Sequence, residues 1–65
     1  MKQGLLDRIT IQPGKMGGQP CIRGMRIRVS DILDMLAAGA TREAILRDYD
    51  ELEDEDISAA VAYGR

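Results

Sequence analysis

Gly17-Gly18-Gln19-Pro20-Cys21-Ile22-Arg23-Gly24-Met25-Arg26-Ile27-Arg28-Val29, followed at once by Ser30, is where the chain changes character. Five of the seven glycines and both prolines lie before Ser30, and they punctuate short pieces rich in β-branched residues. Beyond Ser30 only Gly39 and Gly64 interrupt the chain, and the apolar residues take up helical spacing. Residues 1–29 are therefore expected to form a basic β arm, and residues 30–65 a bundle of three helices. Together, residues 1–65 make a single domain, mainly α.

Working outward, Ile27-Arg28-Val29 alternates apolar and polar as a half-buried strand does, and so does Ile9-Thr10-Ile11. The simplest arrangement pairs these two segments, with Gly17–Gly24 as an irregular arm between them. Gln12-Pro13-Gly14 has the residues of a type II turn. Ser30 is suited to cap a first helix, on which Ile32, Leu33, Leu36 and Ala37 share one face. Gly39 is placed to close it from the residue after the C-cap. Thr41 is a candidate cap for a second helix, with Glu43 in the first turn where the dipole favours an acid. Its inner face is Ala44, Ile45 and Tyr49, with Leu46 beside them. Leu52 is expected to plug the next turn into the core. A third helix starts near Asp54, with Ile57, Ala60, Val61 and Gly64 on its buried side. Three short helices with brief links suggest a cluster of helix-turn-helix type.

The same boundary divides the charge. Residues 1–30 hold Lys2, Arg8, Lys15, Arg23, Arg26 and Arg28 against Asp7 alone, a balance of +5. Residues 31–65 hold three arginines against ten acids, a balance of −7, so the net −2 conceals two poles. Arginines along a glycine-rich arm suit a phosphate backbone, because guanidinium groups meet phosphate oxygens in bidentate fashion and glycine lets the backbone come close. The candidate DNA-binding residues are Lys15, Arg23, Arg26, Arg28 and Arg42. The plainer alternative is that Arg23 and Arg26 pair with acidic helices of the same or a neighbouring subunit. The acidic run at Glu53, Asp54, Glu55 and Asp56 would repel phosphate, which makes the third helix a poor major-groove reader. Those four are instead candidates for docking a basic protein partner; the alternative is a solvated helix start favoured by the dipole.

Composition narrows the remaining classes. With one cysteine no disulfide can close within the chain, and with no histidine the usual structural zinc sets cannot be assembled. No cofactor or metal is expected. Cys21, next to Ile22, reads as a buried small hydrophobe. Gly14-Lys15-Met16 lacks the spacing of a P-loop, and the acidic run lacks the Gly and terminal Glu of an EF-hand. Without an acid–base pair of evident contrast, catalysis is not expected. No segment reads as a secretory signal or a membrane span, so a cytoplasmic protein is expected. Sixty-five residues, with Tyr49 and Tyr63 the only aromatics, yield a small core, and such scaffolds commonly gain stability by oligomerising or by binding a partner; a homodimer would also double the basic footprint of the arm and match a palindromic DNA site.

From Leu6 to Tyr63 the sequence resembles the short bacterial family called domain of unknown function 433. Asp7-Arg8-Ile9-Thr10-Ile11 with Pro13 is similar to its opening strand. Gly18, Pro20, Ile22, Arg23, Gly24, Arg26, Ile27 and Val29 match its central signature, roughly G-K-P-x-I-R-G-T-R-I-x-V. Leu36-Ala37-Ala38-Gly39, Glu43, Ile45, Asp48-Tyr49, Leu52, Asp56-Ile57, Ala60 and Ala62-Tyr63 follow its helical half. Gln19 and Met25 depart from the usual Lys and Thr, Glu53 stands where a capping Thr or Ser is common, and the family usually carries the last helix beyond the position of Arg65. The resemblance implies a homeodomain-like helix-turn-helix fold with an N-terminal β arm. It also implies an antitoxin of a type II toxin–antitoxin pair that binds operator DNA, represses its own operon and neutralises a PIN-like ribonuclease toxin. The acids at residues 53–56 would then face the toxin. A rival of the same fold is an adaptor that binds only protein, its arginine arm forming the dimer interface.

Overall fold

Residues 3–64, which the computed structural model describes, run α1 (Gln3–Leu6), β1 (Ile9–Thr10), a single 3₁₀ turn (Met16–Gly18), β2 (Cys21–Ile22), α2 (Val29–Ala37), α3 (Arg42–Asp48) and α4 (Asp54–Tyr63). The fold is mainly helical with one two-stranded antiparallel hairpin. The last helix is the hub, since α1, α2, α3 and β1 all pack against it. Ile22, Val29, Ile32, Ile45, Leu52, Ile57 and Ala60 form the core. Burying each of the four isoleucines contributes roughly 2 kcal/mol, most of it offset by chain entropy.

The hairpin corrects the expected strand pairing. Ile9 and Thr10 pair with Ile22 and Cys21, inside the stretch expected to be irregular. Residues 27–28 fold back on the other side of β2: Ile22 N–H donates to Ile27 O at 2.9 Å, and Arg28 bridges Cys21. A turn of four residues closes this second contact, whereas pairing 27–29 with 9–11 would close a far longer loop at greater entropic cost. Arg28 is thereby held extended (φ −81, ψ 151), and α2 begins immediately after it. Arg28, not Ser30, is the N-cap, and Asp31 supplies the capping group by accepting the Arg28 N–H at 3.1 Å. The orphan N–H of Val29 donates to Pro20 O at 3.0 Å.

Other expectations hold in detail. Thr41 Oγ1 accepts Ala44 N–H at 3.1 Å and caps α3. Gly39, at φ +96, ends α2 in a Schellman motif: its N–H donates to Leu36 O and that of Ala40 to Met35 O, both at 3.0 Å. Leu52 is buried in the α3–α4 turn and Cys21 is buried in β2. The Gln12–Lys15 turn forms, with Lys15 N–H on Gln12 O at 3.0 Å, but Gly14 does not adopt positive φ, so it is not type II. The short α1, packed on α4, has no counterpart in the sequence expectation.

Candidate functional site

The densest polar contacts occur where the hairpin meets the start of α4. Between β2 and the 27–28 segment the chain reverses over Ile22–Met25, with Met25 N–H on Ile22 O at 2.7 Å. Both central residues have positive φ, Arg23 at 44 and Gly24 at 71, the pattern of a type I′ turn. Glycine takes this conformation freely; for arginine it costs about 1–2 kcal/mol. Three tethers hold the turn: Arg23 N–H donates to Arg8 O at 2.7 Å, Gly24 N–H to Thr10 Oγ1 at 2.9 Å, and Lys15 Nζ to Gly24 O.

This backbone aims Arg23 at Asp56, in the first turn of α4. The Asp56 side chain is 0% exposed and its carboxylate is fully engaged. Arg23 Nη2 donates to Oδ2 at 2.8 Å, Arg23 Nε to Oδ1 at 3.1 Å, Arg8 Nη1 to Oδ1 at 2.9 Å, and Glu53 N–H to Oδ2 at 2.8 Å. Arg23 Nη2 also donates to Glu51 O at 2.9 Å, and Arg8 Nη1 to Glu53 Oε1 at 2.8 Å. Burial alone would push the Asp56 carboxyl up. Arg23, the Glu53 amide and Arg8 outweigh that and hold it below the usual carboxylate range. The arginines remain partly solvated, with side chains 27% (Arg8) and 36% (Arg23) exposed. Glu53 and then Asp56 hold Arg8 more firmly charged, and Asp56 does the same for Arg23.

The other candidate cations are also occupied, with one exception. Arg28 forks onto Asp31, with Nη2 to Oδ1 at 2.9 Å, and that contact lowers the Asp31 carboxyl below its ordinary value. Arg42 Nε donates to Asp54 Oδ1 at 2.8 Å and its Nη2 to Ser58 Oγ at 2.7 Å, and the Arg42 bond lowers the Asp54 carboxyl likewise. Arg26 is exposed and makes no ion pair among the described residues. Of the four acids at residues 53–56, Asp56 faces inward and presents no acceptor to the surface, Glu53 and Asp54 hold arginines, and Glu55 is exposed. The +5 and −7 poles of the sequence are thus joined to each other by ion pairs within the fold.

Sequence reasoning counted Arg8 in the basic pole but gave it no role in a site, and it placed Asp56 on the outside. One signal for Asp56 was available: with Leu52 and Ala60 it falls every fourth residue, which puts it on the face of α4 that meets the core. Among the described residues no group of three or more Cys, Asp or Glu side chains is placed to hold a metal ion, and no helix is long and apolar enough to cross a membrane.

Residues 9–64 match the family described as "Protein of unknown function (DUF433)". The uncharacterized protein y4eO of Sinorhizobium fredii is 36% identical over 55 residues, covering 85% of this chain and 25% of that protein. The crystal structure of a DUF433 member protein from Anabaena variabilis has the same fold, with a TM-score of 0.84 and 41% identity over 94% of this chain and 60% of the other. The chain thus spans less than two thirds of either relative. The match includes the Arg23–Gly24 turn, the arginine arm and the whole helical half, and the chain belongs to the DUF433 family.

Proposed function

We propose that the chain is an antitoxin-like regulator of a bacterial type II toxin–antitoxin pair, acting in the cytoplasm as a homodimer of helix-turn-helix, homeodomain-like modules. In this reading a PIN-like ribonuclease toxin meets the exposed acids at the start of α4, Glu53, Asp54 and Glu55, and operator DNA meets the arm. The observation that supports the DNA contact is Arg26. It is exposed and carries a guanidinium group that no acid among the described residues occupies, beside a turn tethered at three points. Lys15, at the same turn, is the second candidate. Arg23, Arg28 and Arg42 already bind acids of their own chain: Arg23 ties the arm to α4, Arg28 pairs within the first turn of α2, and Arg42 joins α3 to α4.

Fluorescence anisotropy on the chain's own promoter DNA tests this. Salt-sensitive binding is expected. Arg26→Ala should weaken it and make log K fall less steeply with log salt, by about 1 in slope for each phosphate left unneutralised. The second reading, an adaptor that binds only protein, is favoured by the internal pairing of Arg23, Arg28 and Arg42. Absence of DNA binding by the intact protein at low salt would select it.

A further inference from the structure

Three side chains from β1 and the turn that follows it converge on Gly24. Thr10 Oγ1 accepts Gly24 N–H, Lys15 Nζ donates to Gly24 O, and Gln12 Nε2 lies 4.0 Å from where a Cβ on Gly24 would stand. The first two are bonded to the Arg23–Gly24 turn. Gln12 is not: its side chain is exposed and makes no hydrogen bond among the described residues. We propose that Gln12 is the base-reading residue of the arm, its amide meeting an adenine edge in the major groove while Lys15 and Arg26 hold neighbouring phosphates. The proposal rests on the operator-DNA reading above and adds to it a determinant of sequence.

The chemistry follows from what each group can distinguish. Phosphate contacts fix position and carry no sequence information, so an arm of cations alone would bind any duplex. A carboxamide has an acceptor oxygen and a donor NH2, and glutamine meets adenine N7 and N6–H with both. The chain has no asparagine, and its glutamines are Gln3, Gln12 and Gln19. Gln19 lines a groove with Tyr63 and Gly64, whereas Gln12 is the one set against Gly24. The Lys15 ammonium spends one of its three donors on Gly24 O, which leaves two for a phosphate beside that amide.

The rest of the fold favours the hairpin over a helix as the reading element. No acid occurs between Arg8 and Asp31, while the first turn of α4 carries exposed Asp54 and Glu55. A two-stranded ribbon fits the major groove as a helix does. A reader must also be held still. The turn under Gln12 is tethered at Arg8, Thr10 and Lys15, and Gln12 O accepts Lys15 N–H at 3.0 Å, so the backbone that carries the amide is itself fixed.

Anisotropy titrations of the intact chain and of Gln12→Ala, on the promoter duplex and on an unrelated duplex of equal length, test the assignment. The Gln12 side chain bonds to nothing in the fold, so circular dichroism of the variant should match wild type. The wild-type chain should prefer the promoter. Gln12→Ala should bind the promoter roughly tenfold more weakly, with little change on the unrelated duplex and an unchanged salt dependence. Arg26→Ala should instead weaken both duplexes alike and flatten the salt dependence. A promoter duplex carrying 7-deazaadenine, which lacks the N7 acceptor, should bind wild type more weakly and Gln12→Ala no more weakly than before. A wild-type chain without preference, a Gln12→Ala variant that is unaffected or loses equally on both duplexes, or an equal 7-deazaadenine effect on both proteins would overturn base reading by Gln12 and leave the DNA contact standing. Failure of the wild-type chain to bind either duplex at low salt would overturn both.

Discussion

Two arginine–aspartate contacts stand two residues apart on α4 and differ in almost every physical respect. Asp54 faces water and holds Arg42, which reaches across from α3 only 12 residues away in sequence. Asp56 faces the protein, is wholly buried, and holds Arg23 and Arg8, which come from the hairpin 33 and 48 residues away. An exposed pair of the first kind contributes between nothing and about 1 kcal/mol, because water solvates the separated ions almost as well. A buried carboxylate cannot be left alone: without its donors it would forfeit its hydration with nothing in return. The hairpin is therefore an integral part of the fold, joined to the hub helix through Asp56, and the charge asymmetry of the sequence is in large part the means of that attachment.

The largest effect should come from removing the buried carboxylate. Asp56→Ala leaves two guanidinium groups and the Glu53 amide without their shared acceptor, and thermal unfolding should report a destabilisation of about 2–3 kcal/mol. For a domain of this size that lowers Tm by roughly 10 °C or more. A variant within about 1–2 °C of wild type, a shift worth only a few tenths of a kcal/mol, would place the hairpin's attachment elsewhere, in the β1–β2 ladder or the apolar core.

Acid should act on the same contact. Asp56, Asp31 and Asp54 all have folded-state values below the ordinary carboxylate value, so each binds protons more readily in the unfolded chain. Their stabilisation is fully present above the unfolded pKa of about 4 and is lost as pH falls through the lower folded values. Stability should be level above about pH 5 and drop below about pH 4, and the drop should be shallower in Asp56→Ala. Identical acid profiles for the two proteins would mean that Asp56 is not held charged by its arginines.

The helical half was legible because its signals are local. Thr41 caps three residues ahead, Gly39 terminates the helix just behind it, and Leu52 announces its burial by standing alone among acids. The hairpin was not, because 9–11 and 27–29 both read as strands, 21–22 lies in a glycine-rich stretch that reads as irregular, and the choice of partner is made by a turn. That turn places Arg23 in a conformation arginine disfavours, and the acid that compensates lies 33 residues on. Ser30 was a sound cap by type, yet Cys21 claims Arg28 first and starts the helix early. Of the five proposed DNA cations, nothing in the sequence alone distinguished Arg26 from Arg23.

A smaller effect separates the two ion pairs by their response to salt. Arg42→Ala should cost no more than about 1 kcal/mol in low salt, and less as salt rises, since exposed pairs are screened. Arg23→Ala should destabilise more than Arg42→Ala, and its deficit should persist at high salt because the carboxylate it serves is shielded from solvent. Equal, salt-sensitive deficits would make the two contacts equivalent despite the difference in burial.

The smallest effect tests the turn that aims Arg23. Gly24 has φ +71 with Gln12 Nε2 4.0 Å from a built Cβ, so an alanine would meet no obstacle. The whole penalty would come from the left-handed backbone, about 1 kcal/mol. Gly14 is the matched control: it lies in the neighbouring turn, has open space and lacks positive φ, so Gly14→Ala should be neutral or slightly stabilising through the unfolded chain. Denaturant midpoints that fall for Gly24→Ala and not for Gly14→Ala would locate the constraint at the Arg23–Gly24 turn. If both fell alike, the cost would belong to replacing glycine on this surface in general, and the positive φ of Arg23 would have no special share in holding the hairpin to α4.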